Sequence, residues 1–82
     1  MTDEVHDLGM PRLGMTMTEG TIIEWLKDVG DEIAVGEVLV TIATDKADLP
    51  VESPWDGVVV EHLAEPGETV PVLHPIARIR FR

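Results

Sequence analysis

The chain contains no cysteine in its 82 residues. This absence excludes disulfide bonds, thiolate nucleophiles and the cysteine-based classes of zinc site. The three histidines, His6, His62 and His74, lie far apart in the sequence and lack the short spacing of a metal-binding motif. We therefore predict that the chain binds no metal.

Long hydrophobic runs are also missing. The uninterrupted apolar stretches are only a few residues long, and the N-terminal segment carries the acids Asp3, Glu4 and Asp7. A membrane-spanning helix needs about 20 apolar residues, and a secretory leader begins with positive charge. The sequence therefore predicts an intracellular protein with no membrane partner, located in the cytoplasm, or in the mitochondrial matrix if the source is eukaryotic.

Positively charged residues are scarce, with 6 Lys and Arg against 16 Asp and Glu and a formal net charge of −10. Such a surface repels phosphate backbones, which excludes nucleic acid as a partner. Three of the cations, Arg78, Arg80 and Arg82, fall in the last predicted strand, so the remaining surface should be strongly acidic. That acidic field can steer basic partner surfaces toward the chain or can serve solubility alone.

Strong helix signals are absent as well. Val, Ile and Thr dominate the apolar runs, and 7 Gly and 6 Pro interrupt them, which predicts an all-β fold. A chain of this length buries only about 60% of the surface of its unfolded form, which leaves little room for a catalytic pocket. We predict one domain over residues 1–82, with its core at about residues 5–81 and no enzymatic activity of its own.

An internal repeat is present, because Gly20–Ile42 aligns with Gly57–Ile79 at an offset of 37 residues. Each copy consists of a strand-like run, a glycine-centred turn, a short apolar piece and a final strand. Neither copy can bury its apolar face alone, so the repeat predicts a flattened β-barrel or sandwich with quasi-two-fold symmetry. In the first copy Glu24 and Leu26 would share one face of a regular strand, and the second copy repeats this irregularity. A bulge is expected at both places.

Lys46 is the centre of the tripeptide Asp45-Lys46-Ala47, which separates strand-like runs at residues 38–42 and 49–51. This arrangement predicts a hairpin with Lys46 at its tip. A lysine at a hairpin tip is held away from the rest of the protein, and the small Ala47 leaves room for another macromolecule to reach the amine. Most turn lysines are only solvated charges, so the tripeptide alone does not identify an attachment point.

Regular alternation makes a further prediction about the strand before this hairpin. If Val38, Val40 and Ile42 point into the core, then Leu39, Thr41 and Ala43 face outward.

Other side chains that could form a site have structural explanations. Ser53 lies in a proline-flanked turn without a nucleophile-elbow sequence, so we predict no catalytic serine. Trp25 and Trp55 are expected to fill or cap a small core. Met10, Met15 and Met17 are expected to lie in a loop folded over an edge of the sandwich, where their flexible side chains fill space.

Several motifs occur together and in a fixed order: Met10–Lys27, Gly30-Asp31, Thr44-Asp45-Lys46-Ala47, Ser53-Pro54, Asp56-Gly57 and Pro66-Gly67-Glu68. In this combination the chain resembles a lipoyl domain. Lipoyl domains are members of the biotinyl/lipoyl attachment family, here in the branch found in the acyltransferase (E2) component of 2-oxo acid dehydrogenase complexes. The resemblance covers about Val5–Phe81. It implies two four-stranded antiparallel sheets with quasi-two-fold symmetry, a barrel-sandwich hybrid, with the modified lysine on a tight turn of the sheet that does not hold the chain termini.

The resemblance maps the attachment lysine to Lys46, which would carry lipoic acid in a covalent amide bond. It maps a favoured glycine to Gly57, and it implies that Asp45, Ala47 and Gly57 contribute to recognition and that no residue is catalytic. Lipoyl domains commonly carry Glu three residues before the lysine, whereas this chain has Ala43, and this departure bears on how well a given lipoylating enzyme accepts the domain. Biotin-carrying members set their lysine between methionines, so the flanks of Lys46 favour lipoate over biotin.

The resemblance also implies partners. A lipoate ligase or lipoyl transferase would modify Lys46. Lipoyl-Lys46 would then act as a swinging arm that shuttles acyl groups and reducing equivalents between a thiamine-diphosphate-dependent decarboxylase (E1), the acyltransferase catalytic domain (E2) and dihydrolipoamide dehydrogenase (E3).

Alternatives remain open at this point: a biotin carrier domain of a carboxylase, an H-protein-like carrier, and an unmodified hammerhead module used only for assembly. The sequence also leaves open which complex is served, whether for pyruvate, 2-oxoglutarate, branched-chain acids or acetoin. It does not decide whether the chain is a whole protein or the N-terminal part of a longer acyltransferase.

Overall fold

A computed structural model describes residues 4–15 and 17–81 of the chain. These residues form eight β-strands and no helix. The strands are β1 (Val5–Gly9), β2 (Glu19–Trp25), β3 (Glu32–Ile33), β4 (Val38–Ala43), β5 (Asp48–Glu52), β6 (Gly57–His62), β7 (Thr69–Pro71) and β8 (Pro75–Phe81). None of the described segments is a helix long and apolar enough to cross a membrane.

The strands form two four-stranded antiparallel sheets, which confirms the predicted all-β architecture. Sheet A has the strand order β1-β8-β6-β3, and sheet B has the order β5-β4-β2-β7. The first and last strands therefore lie in sheet A, whereas the strands on either side of Lys46 lie in sheet B.

The internal repeat corresponds to structural repeats of three strands. At the offset of 37 residues, β2 matches β6, β3 matches β7, and β4 matches β8. The turns match too, because Gly30 and Gly67 have φ values of 97° and 93°. Each turn reaches into the other copy: the N–H of Gly30 donates to the carbonyl of Val59 at 2.7 Å, and the N–H of Gly67 donates to the carbonyl of Ile22 at 2.7 Å. This exchange of hydrogen bonds holds the two copies together.

Bulges interrupt β2 and β6 at equivalent places, as the sequence predicts. The pairing register shifts between Ile22 and Glu24 in β2, and between Val59 and Glu61 in β6. Glu24 and Glu61, which follow these shifts, are exposed, whereas Ile22 and Val59, which precede them, are buried in the core.

The core lies between the two sheets and consists of aliphatic residues and two methionines. Met10 and Met17 are buried there, whereas Met15 is 95% exposed, so the prediction of a filling role is wrong for Met15. Met10 and Met17 therefore enter the core, whereas Gly14 and Met15 are exposed. The buried apolar residues are Leu8, Met10, Met17, Ile22, Ile33, Leu39, Val40, Ile42, Val51, Val59, Ala64, Val70, Ile76, Ala77 and Ile79.

Both tryptophans are half-buried and pack against this core, as predicted. Trp25 stacks on His62 with ring centroids 4.0 Å apart, and its indole N–H donates to the carbonyl of Ala64 at 2.9 Å. Trp25 and His62 are equivalent positions of the two copies, so they stack across the quasi-two-fold axis. Trp55 packs beside Phe81 near the ends of β1 and β8.

The predicted alternation in β4 is wrong at Leu39. Leu39 is only 1% exposed and Val40 is fully buried, so two consecutive side chains enter the core, and Val38 is half-buried. The physical reason is an irregularity in the pairing of β4 with β5 between Val38 and Val40, which interrupts the two-residue period. Beyond it the alternation resumes, with Ile42 buried and Thr41 and Ala43 half-buried on the outer face.

Candidate functional site

Lys46 occupies a four-residue hairpin loop between β4 and β5. The last residue of β4, Ala43, pairs with the first residue of β5, Asp48, and Thr44–Ala47 form the connection. The backbone N–H of Thr44 donates to the carbonyl of Ala47 at 2.8 Å, which closes the loop. The structure therefore places Lys46 at the tip of the hairpin that the sequence predicts.

The side chain of Thr44 organises the backbone of this loop. Its hydroxyl donates to the carbonyl of Ala47 at 2.7 Å and accepts the N–H of Ala47 at 3.1 Å and that of Lys46 at 3.3 Å. Threonine and serine hydroxyls often hold turns in this way. The backbone on both sides of the Lys46 side chain is therefore tied to one residue. The sequence motif includes Thr44, but sequence reasoning missed its role in the turn, although a hydroxyl residue at the first position of a turn is a recognisable signal.

The side chain of Lys46 is exposed, together with Asp45, Ala47 and Asp48 around it. None of the ion pairs found among residues 4–15 and 17–81 involves Lys46. The other lysine, Lys27, is in a different situation: its ammonium group lies 3.0 Å from a carboxylate oxygen of Glu37, and its side chain is 28% exposed. Lys46 therefore offers the more accessible amine.

The hydrogen bond from Lys27, followed by one from the backbone N–H of Ala34, lowers the pKa of the Glu37 carboxyl. Both partners favour the ionised carboxylate, because each donates a proton to it. Glu37 lies in the turn before β4, at the other end of that strand from the hairpin, and Lys27 lies just after β2.

Two shallow grooves flank the Lys46 hairpin. One, of about 330 Å³, runs between the hairpin and residues 13–15 and 17, and its apolar walls include Leu13, Met15 and Leu49. The other, of about 360 Å³, is lined mainly by Thr18–Thr21 and Ala43–Asp45. Both grooves are open to solvent, and what the site offers chemically is one primary amine beside exposed acids.

Asp45 and Ala47 lie directly beside Lys46, but the structure does not bring Gly57 to the hairpin. Gly57 is in sheet A, where it pairs with Ile33 and Phe81. Phe81 also stacks on His6 with ring centroids 4.3 Å apart, so Gly57 lies beside the chain ends. A Cβ atom on Gly57 would collide with the carbonyl oxygen of Arg80, which gives this glycine a structural role. Its role in recognition stays a prediction.

The remaining candidates form no chemical centre in the described part of the chain. Residues 4–15 and 17–81 contain no cluster of three or more His, Asp or Glu side chains that could hold a metal ion. Ser53 is buried and uses its hydroxyl locally, donating to the carbonyl of Trp55 at 2.6 Å and accepting the N–H of Trp55 at 3.1 Å.

A family model described as Biotin-requiring enzyme, the biotin/lipoyl family, matches residues 6–79 of the chain. The chain belongs to this biotinyl/lipoyl attachment family. The match spans both copies of the internal repeat and the Lys46 hairpin, and it confirms the family that the order of motifs indicated.

Sequence relatives of this lipoyl-type domain are acyltransferase components. A dihydrolipoyllysine-residue acetyltransferase component of the pyruvate dehydrogenase complex from Corynebacterium glutamicum is 49% identical over 78 residues, which are 95% of this chain and 12% of the relative. The corresponding Mycobacterium tuberculosis protein is 50% identical over 85% of this chain and 13% of its own length. An acetyltransferase component of the acetoin cleaving system from Pseudomonas putida is 45% identical over 84% of this chain and 19% of its own length. The chain thus spans less than a fifth of each of these relatives.

Solved structures place the fold in the same family. The lipoyl domain of the 2-oxoglutarate dehydrogenase complex from Azotobacter vinelandii superposes with a TM-score of 0.72 at 29% identity, covering 89% of this chain and 92% of that one. A long-chain acyl-CoA carboxylase gives a TM-score of 0.82 at 20% identity, covering all of this chain and 8% of that one. At that identity the carboxylase shares the fold alone. The resemblance of this chain to a lipoyl domain is confirmed.

Proposed function

We propose that this domain carries a lipoyl group in an amide bond on Lys46 and serves as the mobile carrier of a 2-oxo acid dehydrogenase complex. The observation that carries the proposal is the environment of Lys46: an exposed amine outside any ion pair of the described residues, at the tip of a hairpin whose backbone is hydrogen-bonded. The acetyltransferase relatives and the lipoyl domain with the same fold support it.

Attachment of lipoate to Lys46 is an acyl transfer. The ligase supplies the acyl group as lipoyl adenylate, made from lipoate and ATP with release of pyrophosphate. The neutral amine of Lys46 attacks the carbonyl carbon, an N–C bond forms, the bond from that carbon to the AMP oxygen breaks, and the amine releases its proton to solvent. Because the amide is uncharged, the formal net charge of −10 becomes one unit more negative.

The residues of the site fit a covalent carrier. The dithiolane of a bound lipoyl group supplies the acyl-carrying and redox chemistry. The domain itself contributes a rigid base for the arm, since the sandwich holds β4 and β5 and Thr44 holds the loop between them. Small Ala47 leaves the approach to Lys46 open, and the exposed Asp45 and Asp48 give the surface around the arm a negative charge.

The partners follow from the same proposal. A lipoate ligase or lipoyl transferase modifies Lys46, and the arm then visits a thiamine-diphosphate-dependent decarboxylase, an acyltransferase domain and dihydrolipoamide dehydrogenase. Tethering keeps the arm at high effective concentration near each of these active sites. In this proposal the chain adds no catalytic residue, and it works where such a complex resides, in the cytoplasm or in the mitochondrial matrix.

Mass spectrometry tests the proposal. The chain is incubated with lipoate ligase, lipoate and ATP, and the intact mass and peptide map are compared for the wild type, Lys46→Gln and Lys27→Gln. We expect one lipoyl adduct on the wild type and on Lys27→Gln, and none on Lys46→Gln. An adduct on Lys27 contradicts the proposal. In the protein isolated from its native source, a biotinyl adduct would favour the carboxylase alternative, and an unmodified lysine would favour the assembly module.

A further inference from the structure

We propose that Thr44 is a positioning residue for the modification of Lys46, and this inference rests on the proposed function. The Thr44 hydroxyl fixes the backbone of the Asp45-Lys46-Ala47 tip so that the lysine leaves the hairpin in one direction. The modifying enzyme then meets its substrate amine in an orientation that is already present in the free domain.

The hydrogen bonds of Thr44 converge on the two residues that set this direction. Its hydroxyl accepts the N–H of Lys46 and the N–H of Ala47, and it donates to the carbonyl of Ala47. The backbone N–H of Thr44 donates to the same carbonyl at 2.8 Å. A single side chain therefore bridges the full width of the loop, and one of its bonds is to the backbone of the lysine itself.

Few other described groups hold this tip. Asp45, Lys46 and Ala47 are exposed, and none of their side chains takes part in a hydrogen bond or ion pair found among residues 4–15 and 17–81. If the Thr44 hydroxyl is removed, the two N–H groups can turn to water, and the loop gains conformations that the native hairpin lacks. Because the loop is exposed, water satisfies the freed groups at little cost to folding.

Looser geometry should weaken recognition more than it weakens the fold. A modifying enzyme that binds only one conformation of the tip can bind only the fraction of domain molecules in that conformation. Its apparent affinity for the domain falls by that fraction. The chemical step is unchanged once the correct conformation is bound. The KM for the domain should therefore rise while kcat stays close to its wild-type value.

The experiment compares Thr44→Val, Thr44→Ser and Thr69→Val with the wild-type domain as substrates of a lipoate ligase. Valine keeps the shape of Thr44 and removes the hydroxyl, and serine keeps the hydroxyl. Thr69→Val is the matched control, because it removes a hydroxyl that hydrogen-bonds Thr21 at 2.8 Å in sheet B. For Thr44→Val we expect KM to rise about tenfold with kcat within about twofold of the wild type. Thr44→Ser and Thr69→Val should retain the wild-type KM.

Amide hydrogen exchange supplies a second measurement under native conditions. In Thr44→Val the amides of Lys46 and Ala47 should exchange about tenfold faster, whereas the amide of Ile42, which is fully buried in β4, should keep its rate. Unchanged KM and exchange in Thr44→Val would overturn the inference, as would an equal loss in Thr44→Ser. Failure of the proposed function is a separate outcome, because the wild-type domain would then remain unmodified at Lys46.

Discussion

Gly20 and Gly57 occupy equivalent positions in the two copies, yet a side chain would meet different obstacles at each. A Cβ atom on Gly20 would lie 2.6 Å from Cγ2 of Ile42 and near the flexible side chains of two methionines. On Gly57 it would strike the carbonyl of Arg80, which is backbone within a sheet. Side chains can rotate or shift, whereas a central strand cannot move without breaking its ladder.

We therefore predict that Gly57→Ala destabilises the domain more than Gly20→Ala does. The expected losses in the free energy of unfolding are about 3 kcal/mol for Gly57→Ala and about 1 kcal/mol for Gly20→Ala. Urea denaturation of both variants measures the difference. Equal losses would show that the strand holding Arg80 yields as easily as the side chains around Gly20.

The same variants test the recognition role assigned to Gly57 by resemblance. Gly57 lies in the sheet that does not hold Lys46, so we expect folded Gly57→Ala to be lipoylated at the wild-type rate when measured well below its melting temperature. A slower rate in the fully folded variant would support direct recognition of this residue.

Ala43 stands where lipoyl domains commonly carry Glu. It is half-buried on the outer face of sheet B and lies directly opposite Thr21 on one side and Asp48 on the other. A glutamate fits on this face, but it would place two negative charges opposite each other, which costs a few tenths of a kcal/mol. We expect Ala43→Glu to lower the free energy of unfolding by about 0.5 kcal/mol and to speed lipoylation by a ligase from another source.

Ala43→Gln is the control for charge, because it keeps the size and removes the repulsion from Asp48. Its stability should equal that of the wild type, and its modification rate should stay below that of Ala43→Glu. If both variants are modified at the wild-type rate, residue 43 is dispensable and the tip itself carries recognition. Melting temperature and initial rate, measured on the same samples, separate these results.

At the scale of residues, the sequence predicts the hairpin position of Lys46 well and the hydrogen bonds of Thr44 poorly. The break in strand-like residues and the order of motifs point to Lys46 without reference to coordinates. The bonds of Thr44 depend on a four-residue loop whose closure requires the pairing of Ala43 with Asp48. Pairing is a property of the assembled sheet, so sequence can suggest a turn hydroxyl but cannot show which N–H groups it accepts.

At the scale of elements, the turn before β8 departs from its counterpart before β4. Leu73 has a φ of 76° and is 81% exposed, and the equivalent residue of the first copy is Gly36, with a φ of 90°. A leucine in the left-handed region costs roughly 1 kcal/mol relative to glycine. We predict that Leu73→Gly maintains or raises stability by up to about 1 kcal/mol, even though it removes an apolar side chain.

Leu26→Gly is the matched comparison, because Leu26 is 48% exposed and is not among the described residues with positive φ. It should lose about 1 kcal/mol, as expected for glycine at an ordinary backbone position. Thermal melts of both variants measure the contrast. A loss in Leu73→Gly as large as that in Leu26→Gly would mean that the Leu73 side chain contributes contacts that outweigh its backbone strain.

The turn before β4 provides a pH-dependent element. Hydrogen bonds from Lys27 and from the backbone of Ala34 lower the pKa of Glu37. A carboxyl with a lowered folded-state pKa adds stability above its unfolded pKa and loses that stability as the pH falls through the folded value. We predict that Glu37→Gln is less stable than the wild type at neutral pH and that the difference disappears in acid. Urea titrations at neutral and acidic pH check this, with Glu65→Gln as an exposed control.

Irregularities of the strands were predicted from sequence where a polar residue marks them in both copies, and missed where the residues involved are all apolar. The bulges in β2 and β6 appear twice, so their shared irregularity is visible in the alignment of the two copies. The irregularity between Val38 and Val40 also has a counterpart, because β8 skips Ile76 in its pairing with β1 and buries the consecutive residues Ile76 and Ala77. It leaves no mark in the sequence, because residues 38–40 and 75–77 are each a run of apolar residues in which either alternation fits. Burial of Leu39 is decided by pairing with β5, which periodicity does not report.

At the scale of the whole molecule, the charges of the two sheets differ. Arg78 and Arg80 point outward from β8 in sheet A, where Arg78 lies 3.3 Å from a carboxylate oxygen of Asp7 and 3.7 Å from one of Glu61. On sheet B the acids Asp48 and Glu52 are both exposed on β5, with Asp48 directly after the Lys46 hairpin and Glu52 at the far end of the strand. Amide formation at Lys46 would remove the positive charge of the only lysine in that hairpin, so the net charge of this face would become more negative.

This asymmetry predicts how ionic strength acts on the carrier. If the decarboxylase presents a basic surface, the acidic face of sheet B should accelerate the encounter, and salt should screen that attraction over a Debye length of about 8 Å at physiological ionic strength. We expect kcat/KM for reductive acylation of the modified domain to fall as salt rises from low to physiological concentration, with kcat nearly constant. Stopped-flow or steady-state assays with the purified decarboxylase measure both parameters.

Paired charge variants locate the effect on the molecule. Asp48→Asn removes one charge beside the hairpin, and Glu65→Gln removes one from the turn before β7, so both change the net charge equally. Asp48→Asn should lower kcat/KM at low salt by about twofold and have little effect at high salt, whereas Glu65→Gln should have little effect at either. If both variants lower kcat/KM equally, the net charge of the domain and not the charge beside the hairpin accelerates the encounter. If the kinetics do not depend on salt, the acidic surface serves solubility alone.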